Sequence, residues 1–129
     1  MKNVLLSILM FSTSFVFSQI NLNYGPSNFV TIGEGLGGFT GELSSGGRFG
    51  RDHDLIGDVN KDGVLDIIVG ARSDDDGAAD AGAAYVLFMN TDGTVQSHQK
   101  ISMLQGGFDE TLNAGNFFGY GVAGIGDYD

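Results

Sequence analysis

The sequence predicts an all-β chain built from antiparallel four-stranded sheets. Three observations predict it. An internal repeat recurs at an offset of 69 residues, from Gly37 to Gly106. Short apolar, β-branched runs are bounded by Gly and Asp clusters. Outside the first 18 residues no helical periodicity is present.

The repeat is visible by direct alignment. "GGFTGELSSGGRFGRDHDLIGDVN" (37–60) and "GGFDETLNAGNFFGYGVAGIGDYD" (106–129) share 10 identities in 24 ungapped positions. The shared residues include Phe39/Phe108, Leu43/Leu112, Phe49/Phe118, Ile56/Ile125 and Asp58/Asp127, and Ile32/Ile101 extends the match upstream. An ordered set of Phe, Leu, Ile and Asp is not what a Gly-rich composition produces by chance. A supersecondary unit used more than once is the physical meaning of such a period.

In chain order, the first segment is not part of the repeat. "MKNVLLSILMFSTSFVFSQ" carries Lys2, an apolar stretch from Val4 to Phe17, and Val16 and Ser18 at −3 and −1 of a cleavage site, the pattern of a secretory signal peptide. A membrane span needs about 20 apolar residues, and this run is shorter and interrupted by Ser12 and Ser14. The expected organisation is a signal peptide over 1–18 and a partial repeat domain over 19–129. The first repeat spans about 32–100, and the second, over 101–129, is cut short. The chain has no Cys, which excludes a disulfide scaffold in a compartment that permits one.

Without Lys2 the chain keeps five basic residues (Arg48, Arg51, Lys61, Arg72, Lys100) against 16 acids, a net charge of −11. Such a field repels nucleic acid and anionic membranes and attracts cations, so neither a nucleic-acid partner nor a membrane span after signal cleavage is expected.

Within one period the strands follow in order. Phe49 to Ile56 is the first, and Val64 to Val69 is a β-branched run suited to a buried strand. Gly82 to Met89 is a second apolar run, and Asp92-Gly93 marks a hairpin turn. Val95 to Ile101 is a polar, alternating strand fit for a sheet edge. Four antiparallel strands per repeat match one blade of a β-propeller. Phe29 to Ile32 aligns with the last strand of the repeat, so it is expected as an outermost strand without a blade of its own. About one whole blade is present, and the blades that would close a propeller are expected in a longer parent chain.

The stretch "GDVNKDGVLDIIVG" (57–70) carries the chemistry. Counting from Asp58, oxygen donors fall at positions 1 (Asp58), 3 (Asn60), 5 (Asp62), 7 (the Val64 carbonyl) and 9 (Asp66), with Gly63 at the sharp turn. Hard oxygens at that spacing wrap Ca²⁺, and Mg²⁺ is disfavoured because it keeps few protein ligands. A helix-flanked calcium loop needs a bidentate acid at position 12, which here is Val69. The loop is therefore expected between two strands. A solvated Asp-rich turn without an ion is the alternative. Asp127 and Asp129 restart the pattern in the second copy and complete the candidate metal-ligating set.

Phe49-Gly50, "GDVNKDGVLD", Val69-Gly70-Ala71 and "GAAYVLF" together resemble the FG-GAP repeat of integrin α-subunit β-propellers, in particular the bacterial secreted versions. The resemblance spans about residues 27–129. It implies a bladed propeller, a calcium loop between the first two strands of the blade, and extracellular recognition or adhesion. Two departures stand out. "RDHD" (51–54) loads charge onto a strand that is small and apolar in the second copy, and Arg72 stands where the family has proline. The charged strand is expected either to pack poorly or to face another chain segment. His53 among its aspartates reads as a surface or mispacked His–Asp pair rather than a catalytic or metal site, and Asp74, Asp75, Asp76 and Asp80 read as a solvated inter-strand loop rather than a second ion site.

The expected function is a secreted or cell-surface calcium-binding module that recognises an extracellular protein or glycan and is not an enzyme. The alternatives are the noncatalytic propeller part of a secreted hydrolase or lyase, and a fragment without independent function. No nucleophile elbow, zincin motif or P-loop occurs.

Overall fold

A computed structural model of the chain describes residues 29–126, together with the backbone of residues 9–11 and 14–18. Among the described residues every element is a strand: β1 (Leu9–Phe11), β2 (Ser14–Ser18), β3 (Phe29–Gly33), β4 (Phe49–Gly57), β5 (Asp66–Ala71), β6 (Ala83–Met89) and β7 (Val95–Ile101). They form a three-stranded sheet in the order β1-β2-β3 and a four-stranded sheet in the order β4-β5-β6-β7. All pairings are antiparallel. The chain is all-β over its described residues, and β4–β7 has the form of a propeller blade.

Each strand of the blade has a local cause. β5 and β6 are aliphatic and β-branched and occupy the two central positions, where side chains pack on both faces. β7, with Gln96, Ser97, Gln99 and Lys100, is the polar edge strand, which discourages pairing with a further chain. The β6–β7 connection turns at Gly93 (φ 82°), with Asn90 N–H donating to the Thr94 carbonyl at 2.8 Å and Thr94 N–H to Asp92 Oδ1 at 2.9 Å. β5 begins two residues later than its β-branched run suggests. Val64 and Leu65 belong to the preceding loop because the Asp66 carboxylate turns inward and accepts the Val59 amide at 2.8 Å.

The register sorts the blade into two faces. On the front face Ile67, Val69 and Ala71 lie opposite Leu87, Tyr85 and Ala83. All six are buried, with Met89 and Val95 beside them. Ile32 from β3 and Phe39 from the strap between β3 and β4 close over this face and are fully buried. Phe39 stacks on Phe49 at 5.1 Å between centroids and meets the Tyr85 ring edge-on at 5.7 Å. On the back face Ile68, Val86, Phe88 and Ile101 are half-buried. The strands "DIIVG" and "YVLFM" are thus not bare on both faces, as an isolated blade would be. The chain covers the front with its own strap and part of the back with its second repeat.

The repeat recurs as geometry. The bridge Gly33↔Leu36 reappears as Ser102↔Gln105, and the turn Gly47 N–H to Ser44 carbonyl (2.9 Å) reappears as Asn116 N–H to Asn113 carbonyl (3.1 Å). Arg48 and Phe117, both non-glycine, share a left-handed backbone (φ 59° and 54°). The Phe39–Phe49 contact has its counterpart in Phe108–Phe118 at 4.9 Å. Equivalent residues at the 69-residue offset therefore perform equivalent packing.

β3 is the strand expected at Phe29 to Ile32, and its neighbour is β2, with Phe29↔Ser18 and Gly33↔Ser14 as the limits of the pairing. β1 and β2 fall within the stretch read as a signal peptide. The n-region, the residue after the cleavage point and the linker to β3 lie outside the described residues.

The second repeat docks where glycines permit backbone contact. A Cβ on Gly70 would stand 2.1 Å from the Gly119 carbonyl oxygen, and one on Gly119 the same distance from the Ala83 carbonyl oxygen. Gly70→Ala is expected to displace the 117–126 segment at a cost of about 1–3 kcal/mol, as overpacking does. Thermal melting combined with limited proteolysis checks this; an unchanged melting temperature and cleavage pattern would contradict the docking.

Candidate metal centre

The loop from 58 to 65 joins β4 to β5, the strand-to-strand position expected from the sequence. Its path needs left-handed backbone at Lys61 (φ 62°) and Gly63 (φ 89°). Glycine adopts that conformation without strain, and an ordinary side chain at 63 would not. The acidic side chains fold the loop by accepting its amides. Asp58 accepts Asp62 N–H at 3.0 Å through Oδ1 and Gly63 N–H at 2.8 Å through Oδ2. Asn60 Oδ1 accepts the same Asp62 N–H at 3.1 Å, so the oxygens of Asp58 and Asn60 gather about one point. Asp62 Oδ1 accepts Val64 N–H at 2.9 Å, and its Oδ2 accepts Asn60 Nδ2–H at 2.8 Å.

Asp66 differs in kind. It is fully buried, and its two oxygens accept Val59 N–H at 2.8 Å and Met89 N–H at 3.1 Å. One carboxylate thereby ties the start of the loop, the start of β5 and the end of β6 together. Each carboxylate oxygen has a second lone pair, so these bonds do not exhaust the donor set. Asp58, Asn60 and Asp62 are exposed and Val64 is half-exposed. Among the described residues no three His, Cys, Asp or Glu side chains converge in a metal-holding arrangement. The side chains of Asp58 and Asp62 point to the loop's own amides. All the donors are hard oxygens, and the loop that carries them is already bent; that chemistry fits a hard cation such as Ca²⁺. Asp127 and Asp129 lie outside the described residues.

The charged strand "RDHD" turns out to face another chain segment. Asp52 Oδ2 accepts Val122 N–H at 2.8 Å and Asp54 Oδ2 accepts Gly124 N–H at 2.9 Å. Two carboxylates at alternate positions on β4 thus stand in for ladder carbonyls and hold the second repeat. The amides of Gly124 and Leu55 hold the Asp54 carboxyl below the usual carboxylate range. Arg72 works on the same junction, its guanidinium 4.8 Å from the Tyr120 ring centroid and 5.6 Å from that of Phe117. Where the repeat family has proline, this chain uses a cation–π clamp worth about 0.5–2 kcal/mol. His53 is half-buried on β4, opposite Val69.

The Asp74–Asp80 loop is not simply solvated. Asp74 is fully buried and accepts bonds from Lys100 Nζ (2.9 Å), the Tyr85 hydroxyl (3.3 Å) and Asp76 N–H (3.0 Å). Asp75 Oδ1 accepts Asp80 N–H at 2.8 Å, which closes the exposed end of the loop. Burial and the neighbouring Asp74 push the Tyr85 hydroxyl up and keep it protonated. Burial opposes ionisation of Asp76, but the Ser102 hydroxyl, Lys100 and Gln105 outweigh it and hold its carboxyl below the usual range. Burial alone lowers His98. Sequence reasoning missed this cluster because Lys100 and Asp74 are 26 residues apart and meet only across β6.

The family model for the FG-GAP repeat matches residues 55–87, from the end of β4 through the loop and β5 to most of β6. No curated protein and no solved structure matches the chain. FG-GAP repeats form β-propeller blades and belong to extracellular or surface modules of the recognition and adhesion type. The matched stretch contains every loop residue from Asp58 to Asp66. Among the described residues no helix is long and apolar enough to cross a membrane.

Two outcomes follow from these contacts. Asp66→Ala is expected to strand the buried Met89 amide at about 1–3 kcal/mol and to release the part-buried Val59 amide, read by chemical denaturation; a loss below about 1 kcal/mol would mean the carboxylate is not the tie. Because Asp54 is depressed in the folded chain, its bond to Gly124 is fully present above the ordinary carboxylate pKa and is lost as pH falls through the folded value. Amide protection at Gly124 should therefore drop on acidification, and Asp54→Asn should remove that dependence.

Proposed function

We propose that this chain is a calcium-stabilised FG-GAP module that acts outside the cell as a recognition or adhesion element and binds rather than catalyses. The observation that carries the reading is the prefolded oxygen loop at 58–66 lying wholly inside the FG-GAP match. Asp58, Asn60, Asp62, the Val64 carbonyl and Asp66 would hold the ion. Bound Ca²⁺ would neutralise the gathered carboxylates and brace the β4–β5 connection. The strongly acidic surface supports a partner with basic or cation-bridged groups, whether protein or glycan. The signal-like leader supports secretion.

Calorimetric titration of the chain with Ca²⁺ tests the reading. One site per complete loop is expected, with a Kd on the order of 10⁻⁴ to 10⁻³ M, as in extracellular modules. Asp62→Ala should abolish the heat of binding. Identical titrations of the two proteins would sink the assignment.

A further inference from the structure

Lys100 lies on the front face of β7, opposite Tyr85 of β6. Its side chain runs over the Tyr85 ring, with Nζ 5.6 Å from the ring centroid, to reach the loop between β5 and β6. There Nζ is 2.9 Å from Asp74 Oδ1 and 3.5 Å from Asp76 Oδ2. The Lys100 side chain is 12% exposed and that of Asp74 1%. A primary amine, a buried carboxyl and a second carboxylate within reach of the same nitrogen are the groups an amide condensation needs. We propose that Lys100 and Asp74 join through an isopeptide bond, Nζ to Cγ, formed by the folded chain itself.

The step balances without any co-reactant. The ammonium–carboxylate pair holds the same protons as a neutral amine and a carboxylic acid. The reacting form is reached when one proton passes along the 2.9 Å contact from Nζ to Asp74 Oδ1, which leaves the proton count of the pair unchanged. The freed amine lone pair attacks Cγ, and the C–N bond forms. The oxygen that becomes negative is met by the Tyr85 hydroxyl, which already donates to Oδ2, while Asp76 N–H donates to Oδ1. The Asp76 carboxylate takes the second proton from nitrogen and delivers it to the departing hydroxyl. The C–O bond breaks, water leaves, and Asp76 is regenerated. A cavity of about 520 Å³ lined by Asp76, Tyr85, His98 and Lys100 gives that water an exit. Ser102 and Gln105 both donate to Asp76 Oδ2 and fix the relay in place. Fold-imposed contact replaces a bimolecular encounter, which is the main barrier to such a reaction in water.

The bond also has a mechanical rationale. Among the described residues β7 is an edge strand paired only with β6, and the chain has no Cys with which to staple it. The cross-link would tie this strand to the loop on the other side of β6 and close the segment 74–100.

Intact mass spectrometry of the folded full chain, beside Lys100→Arg and Asp74→Asn, tests the proposal. The wild type should weigh about 18 Da less than its sequence, one water. Trypsin should fail to cut after Lys100, so that Ser73–Lys100 is replaced by a longer peptide carrying the same deficit. Asp74→Asn should lose ammonia instead, about 17 Da, because the same attack then expels nitrogen. Lys100→Arg should show no deficit. A full sequence mass with cleavage after Lys100 would leave a plain ion pair and overturn the proposal. A water loss that persists in Lys100→Arg would overturn it too, since cyclisation at Asp62-Gly63, Asp76-Gly77 or Asp92-Gly93 would then account for it.

Discussion

The Phe39 ring is the contact on which the rest of the blade depends. It comes from a strap that belongs to neither sheet, yet it is fully buried among Phe49, Tyr85 and His98. A four-stranded sheet has two apolar faces and cannot hide either by itself. Phe39 covers the front face by touching Phe49 of β4, Tyr85 of β6 and His98 of β7, which places the aromatic body of Tyr85 in the core. With its ring so held, the Tyr85 hydroxyl can point only outward to the Glu42 carbonyl and Asp74. Asp74 in turn positions Lys100. One packing decision thus orders a polar cluster about a buried carboxylate, as polar groups in a low-dielectric site require.

The same logic explains the two departures from the repeat pattern. Where the second repeat lies against β4 and β5 through glycines, backbone meets backbone and no side chain fills the contact. Gly70, Gly119 and Gly124 allow backbone to touch backbone but add no apolar area. Asp52, Asp54 and Arg72 make up the deficit with directional bonds to amides and ring faces. Charge on β4 is therefore a means of joining repeats and not a sign of a degraded strand. The acids of the neighbouring loop serve a comparable purpose. Asp58, Asn60 and Asp62 satisfy amides that a tight turn cannot pair within itself, and Asp66 carries that turn into the core.

Asp residues in this chain thus fall into three physical situations that the sequence does not separate. Some are exposed and bend a loop, as Asp58 and Asp62 do. Some reach across to another repeat, as Asp52 and Asp54 do. Two, Asp66 and Asp74, are buried and accept bonds through both oxygens. The distinction matters for function, because the first group meets solvent directly, whereas Asp66 can reach a cation only through the lone pairs its two amide bonds leave over.

The sequence by itself determined the strand order, the hairpin at Asp92-Gly93, the polar edge at β7, the position of the oxygen-rich loop between two strands, and the 69-residue repeat. These are local properties: β-branched runs, turn residues and regular spacing act over a few residues, and a repeat keeps its geometry because equivalent side chains meet equivalent neighbours. Only the tertiary structure decided which acids are buried, that Asp52 and Asp54 hold amides 70 residues away, that Arg72 lies over Tyr120, and that Lys100 meets Asp74 across β6. Those contacts join residues far apart in the chain. They depend on which face of the sheet each strand presents and on what covers that face, and no local pattern carries that information.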